Sequence, residues 1–112
     1  MNALRDTLRK FVAERDWDQF HSPKNLSMAL SIEASELMEH FQWLTEEQSR
    51  KLPPEKLAQV RDEMADVLVY LVRLADKLDV DLLAAVEAKM EKNALKYPAD
   101  KVRGSMKKYS EY

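Results

Sequence analysis

Two pairs of acids stand where a helical protein ordinarily places leucine. Glu33 and Glu36 lie in "SIEASELMEHFQW", residues 31–43, and Glu63 and Asp66 lie in "RDEMADVLVYLVRLA", residues 61–75. Within each pair the spacing is three, so both acids lie on neighbouring turns of one helix. At about 100° per residue, Glu33 falls on the stripe of Leu26, Leu30, Leu37 and Leu44, with Glu36 about 60° round the wheel. Glu63 lies in the same way beside Val60, Val67, Leu74 and Leu78, and Asp66 is offset by the same step. Stripes of this kind face one another in a bundle, so the carboxylates converge in a partly buried volume. Unpaired ions there are costly and like charges add to the cost, so the arrangement calls for a positive charge.

A hard divalent cation supplies it economically. Carboxylate oxygens without matching histidines or thiolates suit magnesium, manganese or calcium rather than zinc. Magnesium keeps several waters and shares its shell with substrate phosphates, which makes a phosphate-bearing substrate the natural companion. A di-iron bundle is the competing chemistry, but it needs Glu-x-x-His on two helices. Here His40 follows Glu36 by four residues and nothing equivalent follows Glu63. E-x-x-E is also frequent in ordinary Glu-rich helices; the second pair, again on an apolar stripe, is what favours a metal.

Four helices must position these groups. The first spans about residues 3–16, with Leu4, Leu8, Phe11 and Val12 at helical spacing, and runs out in "DWDQFHSPKN". Ser22 caps the second, with Pro23 in its first turn, and this helix extends to about Leu44. "TEEQ", residues 45–48, has the capping-box form and predicts a short helical piece before "LPPEK". Pro54 opens the third helix, which lasts to about Leu78 on a stripe of Val60, Val67, Leu71, Leu74 and Leu78. "DVD" breaks it, and Asp81 caps a fourth that runs to about Tyr97 before Pro98. The expected organisation is an all-α domain over residues 1–97 and a basic C-terminal tail over 98–112, which orders on a surface or a ligand or not at all.

Charge is segregated along the chain. Residues 89–112 carry seven Lys or Arg against three acids, whereas residues 33–66 carry nine acids against four bases. Lys89, Asn93 and Lys96 share one face of the fourth helix, and Lys101, Arg103, Lys107 and Lys108 continue the positive charge. They are read either as holders of phosphate or as solvated helix residues. The aromatics pose a similar choice. Trp17 and His21 lie in the loop before the second helix, Trp43 ends that helix, and Tyr70 lies within about 20° of Glu63. Flat rings at such places stack on a nucleobase, or they close the ends of the bundle.

Composition excludes several classes. With 112 residues and a net charge of −2, the chain is one small domain without the bulk charge of a nucleic-acid binder. It has no cysteine for a disulfide framework, its first residues are too charged for a signal peptide, and no apolar run nears the roughly 20 residues of a membrane span. A soluble cytoplasmic protein with no membrane or nucleic-acid partner is expected.

The acid motifs, together with "FVAERDWDQFHSPKNL", "EHFQW", "DVLVYLVRLA" and "KMEKNALKYP", resemble the MazG-like all-α nucleotide pyrophosphohydrolases. The likeness covers about residues 5–98 and is nearest the single-domain branch that includes the dCTP pyrophosphatases. It implies a four-helix bundle assembled as a homodimer or dimer of dimers, with neighbouring subunits completing the site. It further implies a magnesium-dependent hydrolase, with manganese as a substitute, cutting a nucleoside triphosphate, usually a deoxynucleotide, to the monophosphate and pyrophosphate. By position, Glu33, Glu36, Glu63 and Asp66 are the implied metal ligands. Lys89 and Asn93 resemble phosphate-holding residues of that branch, and Trp17, His21, Trp43 and Tyr70 resemble its base-and-sugar pocket. Lys96, Tyr97 and Lys101 are added for phosphate from charge and location alone. The chain lacks the longer segment before the third helix found in the animal enzymes, and its tail is no guide to their base preference.

The expected chemistry is in-line attack of water on the α-phosphorus, with Glu36 orienting or deprotonating the water and Lys89 steadying the departing pyrophosphate. A catalytically silent nucleotide-binding module and a purely structural helical oligomer are the alternatives.

Overall fold

The computed structural model describes residues 1–104; the expectations for Lys107 and Lys108 lie outside the described residues. Among the described residues there is no strand. The elements are α1 (Asn2–Glu14), a 3-10 turn (Asp18–Phe20), α2 (Pro23–Glu39), α3 (Glu46–Ser49), α4 (Pro54–Lys77), α5 (Leu82–Lys96) and α6 (Ala99–Val102). The all-α expectation is met. No described helix is long and apolar enough to cross a membrane.

The caps foreseen in the sequence start these helices. Ser22 accepts from the Asn25 amide with Pro23 behind it, Asp81 accepts from the Ala84 amide, and Thr45 and Gln48 form a reciprocal capping box. That box shortens α2 relative to expectation. Thr45 must be extended to cap α3, and the chain approaches it through tight turns in which the Phe41 amide donates to the Met38 carbonyl and the Leu44 amide to the Phe41 carbonyl. The helix therefore ends at Glu39, and Trp43 stands in the turn beyond it.

Two compact units are present, Met1–Val80 and a second beginning at Asp81. In the first, α2 packs along α4 and α1 packs against α4 as well. Val12, Leu26, Val60, Val72 and Ala75 are buried there, joined by Arg73 at 3% exposure. The expected stripe of α4 holds at Val60, Val67 and Leu74 but not at Leu71 and Leu78, which are exposed. Towards its C-terminus the buried side turns to Val72, Arg73 and Ala75. Large apolar side chains are also exposed on both helices, Met28 and Ile32 on α2 and Leu57, Met64 and Leu68 on α4. In the second unit, Lys89 and Lys96 are exposed on α5 and Asn93 is half-buried.

Both α1 and α4 end in the same way, with aspartate where glycine is customary. Asp16 (φ 53°) and Asp79 (φ 54°) are left-handed. Beyond them the Trp17 amide donates to the Val12 carbonyl, and the Val80 amide to Ala75, closing the six-residue loop of a Schellman ending. Asp16 thereby turns Trp17 back over its own helix. The left-handed cost to a side chain exceeds the entropy that glycine loses on folding. Asp79→Gly is therefore expected to stabilise the protein by about 0.5 kcal/mol in urea unfolding. Loss of stability would mean that Asp79's attraction to Arg9 outweighs the backbone strain.

Candidate active site

The apolar pairing of α2 with α4 brings the acids together. Carboxylate oxygens of Glu33, Glu36 and Glu63 lie within 4.8 Å of one another, all three residues being half-buried. Asp66 stands outside this tight group, more exposed, but near enough for its charge to act on Glu33. Glu33 Oε2 and Glu63 Oε2 are buried and meet no hydrogen-bond donor. Buried carboxylate oxygens without donors are rare and costly. Burial first, then hydrogen bonding to Glu63 and Glu36 and the charges of Glu36 and Asp66, pushes the Glu33 carboxyl up to about 7. The two facts agree: ionised Glu33 leaves both oxygens orphaned, whereas protonated Glu33 supplies one donor for the cluster. An all-oxygen set short of positive charge fits a hard divalent cation in this place.

The sign of the resulting pH dependence is unusual for an acid. Between the unfolded value of 4.5 and the folded value of about 7, the native state holds a proton the unfolded state has lost. Stability then falls as pH rises across that window. Without metal, the melting temperature of Glu33→Gln is expected to draw progressively above that of the native sequence from pH 4.5 to 7.5. Parallel profiles would show that Glu33 ionises freely.

Beside the acids lies a cavity of about 400 Å3, lined by Leu8, Phe11, Val12, Trp17, His21, Glu33, Asp66, Val69, Tyr70 and Arg73. Trp17, His21 and Tyr70 therefore share one chamber with two of the acids. Trp17 is braced edge-on against Phe11 at 5.8 Å, and the Arg15 guanidinium caps the Phe11 ring at 3.6 Å. Trp43 is not among the lining residues; at 87% exposure its ring projects from the turn after α2. Lys89, Asn93 and Lys96 belong to α5 in the second unit.

Sequence reasoning missed Arg73. Its guanidinium spends every nitrogen: Nε donates to His21 Nδ1 at 3.3 Å, Nη1 to Asp76 at 3.1 Å and Nη2 to Asp18 at 3.0 Å. Asp76 also accepts from Arg9, and Lys77 approaches Asp18 at 2.6 Å. The available signal was a lone arginine inside the apolar run "VLVYLVRLA" with an aspartate three residues on, the mark of a buried cation that carries its own counter-ion.

Known proteins share this chain's features. The profile of the MazG-like family matches residues 28–112. The dCTP pyrophosphatase 1 of Mus musculus is 48% identical over 110 residues, and that of Homo sapiens 47%; each alignment takes in 96% of this chain. The chain spans about 65% of the length of these curated relatives. The crystal structure of a pyrophosphatase from Archaeoglobus fulgidus superposes with a TM-score of 0.83 at 42% identity, covering 88% of this chain and 92% of that one. With three-quarters of its length matched by the family profile and its acids gathered between α2 and α4, the chain belongs to the MazG-like family.

Proposed function

We propose that the chain is a magnesium-dependent nucleoside triphosphate pyrophosphohydrolase, cutting between the α- and β-phosphates, with dCTP as the preferred substrate. The observation that carries this reading is the pair of donorless buried oxygens, Glu33 Oε2 and Glu63 Oε2, beside an aromatic cavity. The names of the curated relatives support the choice of substrate. Glu33, Glu36, Glu63 and Asp66 would hold the cation, with manganese as a substitute for magnesium. Bound there, the cation supplies positive charge to the phosphate oxygens and to the leaving group.

The chain's own residues do the rest. Trp17 and Tyr70 form the walls that take the base and exclude water from its faces. Glu36 orients the attacking water and accepts its proton on a carboxylate oxygen. As the water oxygen bonds to the α-phosphorus, the bond to the bridging oxygen of the β-phosphate breaks and pyrophosphate departs. Lys89, with Asn93 and Lys96, holds the phosphate chain, and Lys89 steadies the departing charge.

Assembly as a homodimer or homotetramer belongs to the same proposal, and a cytoplasmic setting fits it. The exposed Met28 and Ile32 on α2 and Leu57, Met64 and Leu68 on α4 favour such an assembly, because large apolar side chains exposed on paired helices gain by being covered. Trp43, exposed in one subunit, is then available to the base pocket of the assembled oligomer.

A panel of ribo- and deoxynucleoside triphosphates, followed by phosphorus NMR with and without Mg2+, tests the reading. The expected products are the monophosphate and pyrophosphate, formed only with the cation and fastest from dCTP. Release of inorganic phosphate, or no reaction with any nucleotide, would refute it.

A further inference from the structure

His21 and Arg73 both line the cavity, and the mechanism above uses neither. Their contact is chemically one-directional. A guanidinium donates and never accepts, so His21 Nδ1, at 3.3 Å from Arg73 Nε, must be the ring nitrogen without a proton. The neutral imidazole then carries its proton on Nε2. Arg73 cannot swing away easily: it is 3% exposed and its other two nitrogens are held by Asp76 and Asp18.

We infer that Arg73 is a positioning residue that locks His21 in its Nε2–H tautomer, so that the cavity offers a hydrogen-bond donor to the acceptor edge of a cytosine. This rests on the nucleotide reading above and deepens it. Cytosine presents two adjacent acceptors, O2 and ring N3, whereas thymine and uracil carry a proton on N3. O2 accepts in all three bases, so a nitrogen that only donates favours cytosine when it is directed at N3, and a ring free to exchange tautomers would not discriminate.

The surroundings keep the ring neutral. Charged groups near His21 are Arg73 and Lys77 on α4 and Asp18 on the 3-10 turn, while Glu33 on α2 and Asp66 on α4 line the same cavity. Burial and then the positive charge of Arg73 lower the imidazole's proton affinity below its usual value, with Lys77 adding to this and Asp18 opposing it.

Two measurements on the full chain test the inference. Long-range nitrogen–proton NMR at pH 7.5 is expected to show His21 Nδ1 unprotonated and Nε2 protonated. A protonated Nδ1, or averaged signals from both tautomers, would overturn the lock. In kinetics, Arg73→Gln and His21→Phe are each expected to raise KM for dCTP about tenfold, the effect of one lost hydrogen bond, while kcat moves by less than roughly twofold. Their KM for 2-deoxyribose 5-triphosphate, which has no base, should stay at the native value, and the preference for dCTP over dTTP should collapse. The double variant should be no worse than His21→Phe alone, because Arg73 acts through the imidazole. Additive losses, or equal losses on the substrate without a base, would show a merely structural arginine and overturn the proposal. Should Arg73→Gln fail to fold, the native spectrum and His21→Phe still decide. A native chain that turns over no nucleotide would overturn the cytosine assignment together with the proposed function, while the nitrogen signals would still decide the tautomer.

Discussion

Glu63→Gln is expected to abolish nucleotide turnover, by on the order of 10^2–10^3-fold or more, while raising the stability of the metal-free protein. The two effects have one cause. In the native sequence Glu63 Oε2 is buried without a donor, within a few ångströms of Glu33 and Glu36. The carboxamide removes a negative charge from this cluster and adds an N–H that Glu33 or Glu36 can accept. Relief of one buried unsatisfied group contributes about 1 kcal/mol or more. The same change removes an anionic oxygen from the place where a cation would be held, and the charge stabilisation of the reaction is lost with it. Stabilisation alone would also follow if the helices were purely structural. The discriminating readout is therefore the effect of Mg2+ on melting: it should raise the transition of the native protein by mass action and leave that of Glu63→Gln nearly unchanged. A variant that kept its turnover would remove Glu63 from the site.

Asp76→Ala is expected to cost about 3–5 kcal/mol in urea unfolding. Arg73 is buried, and the Asp76 side chain, at 10% exposure, is the more buried of its two carboxylate partners. Removing it leaves the buried guanidinium with only the exposed Asp18 as counter-ion, and also releases Arg9, which binds the same carboxylate. Asp18 is the internal control. It bonds the same arginine, but its side chain is 58% exposed, so Asp18→Ala should cost less than about 1 kcal/mol. The Asp76 carboxyl is held below its ordinary value by hydrogen bonding to Arg9 first, opposed by burial, and by the charges of Arg9 and Arg73. Its contribution is therefore fully present above the unfolded value of 3.8 and lost as pH falls through the depressed one. Equal losses for Asp76→Ala and Asp18→Ala would show that burial does not set the strength of this network.

The helix starts were legible because their code is local. Ser22, Thr45 and Asp81 each find a partner three residues along the chain, so the cap is written within a single turn. The acid cluster was legible for a related reason: helical periodicity alone places Glu33 and Glu63 on apolar stripes, and α2 and α4 do pack against each other. Asp66 is where periodicity stops deciding: it is offset from its stripe by the same step as Glu36, yet Glu36 joins the tight group and the shorter, more exposed Asp66 does not. Arg73's burial left a local trace in Asp76 three residues on, but its bonds to His21 and Asp18 were illegible because those partners stand 52 and 55 residues away in sequence. No periodicity encodes such contacts. Trp43 was assigned to the end of a helix, and the competing demand of the Thr45 cap for an extended backbone placed it in a turn instead.

The proposed reaction depends on a divalent cation held by the acids between α2 and α4. Titration of the metal-free protein with Mn2+, followed by the electron spin resonance of the free ion, measures this without any substrate. The prediction is saturable binding by the native chain that Mg2+ displaces, and that is lost in Glu33→Gln and in Glu63→Gln. Equal Mn2+ binding by the native protein and both variants, or no binding by any of them, would contradict it.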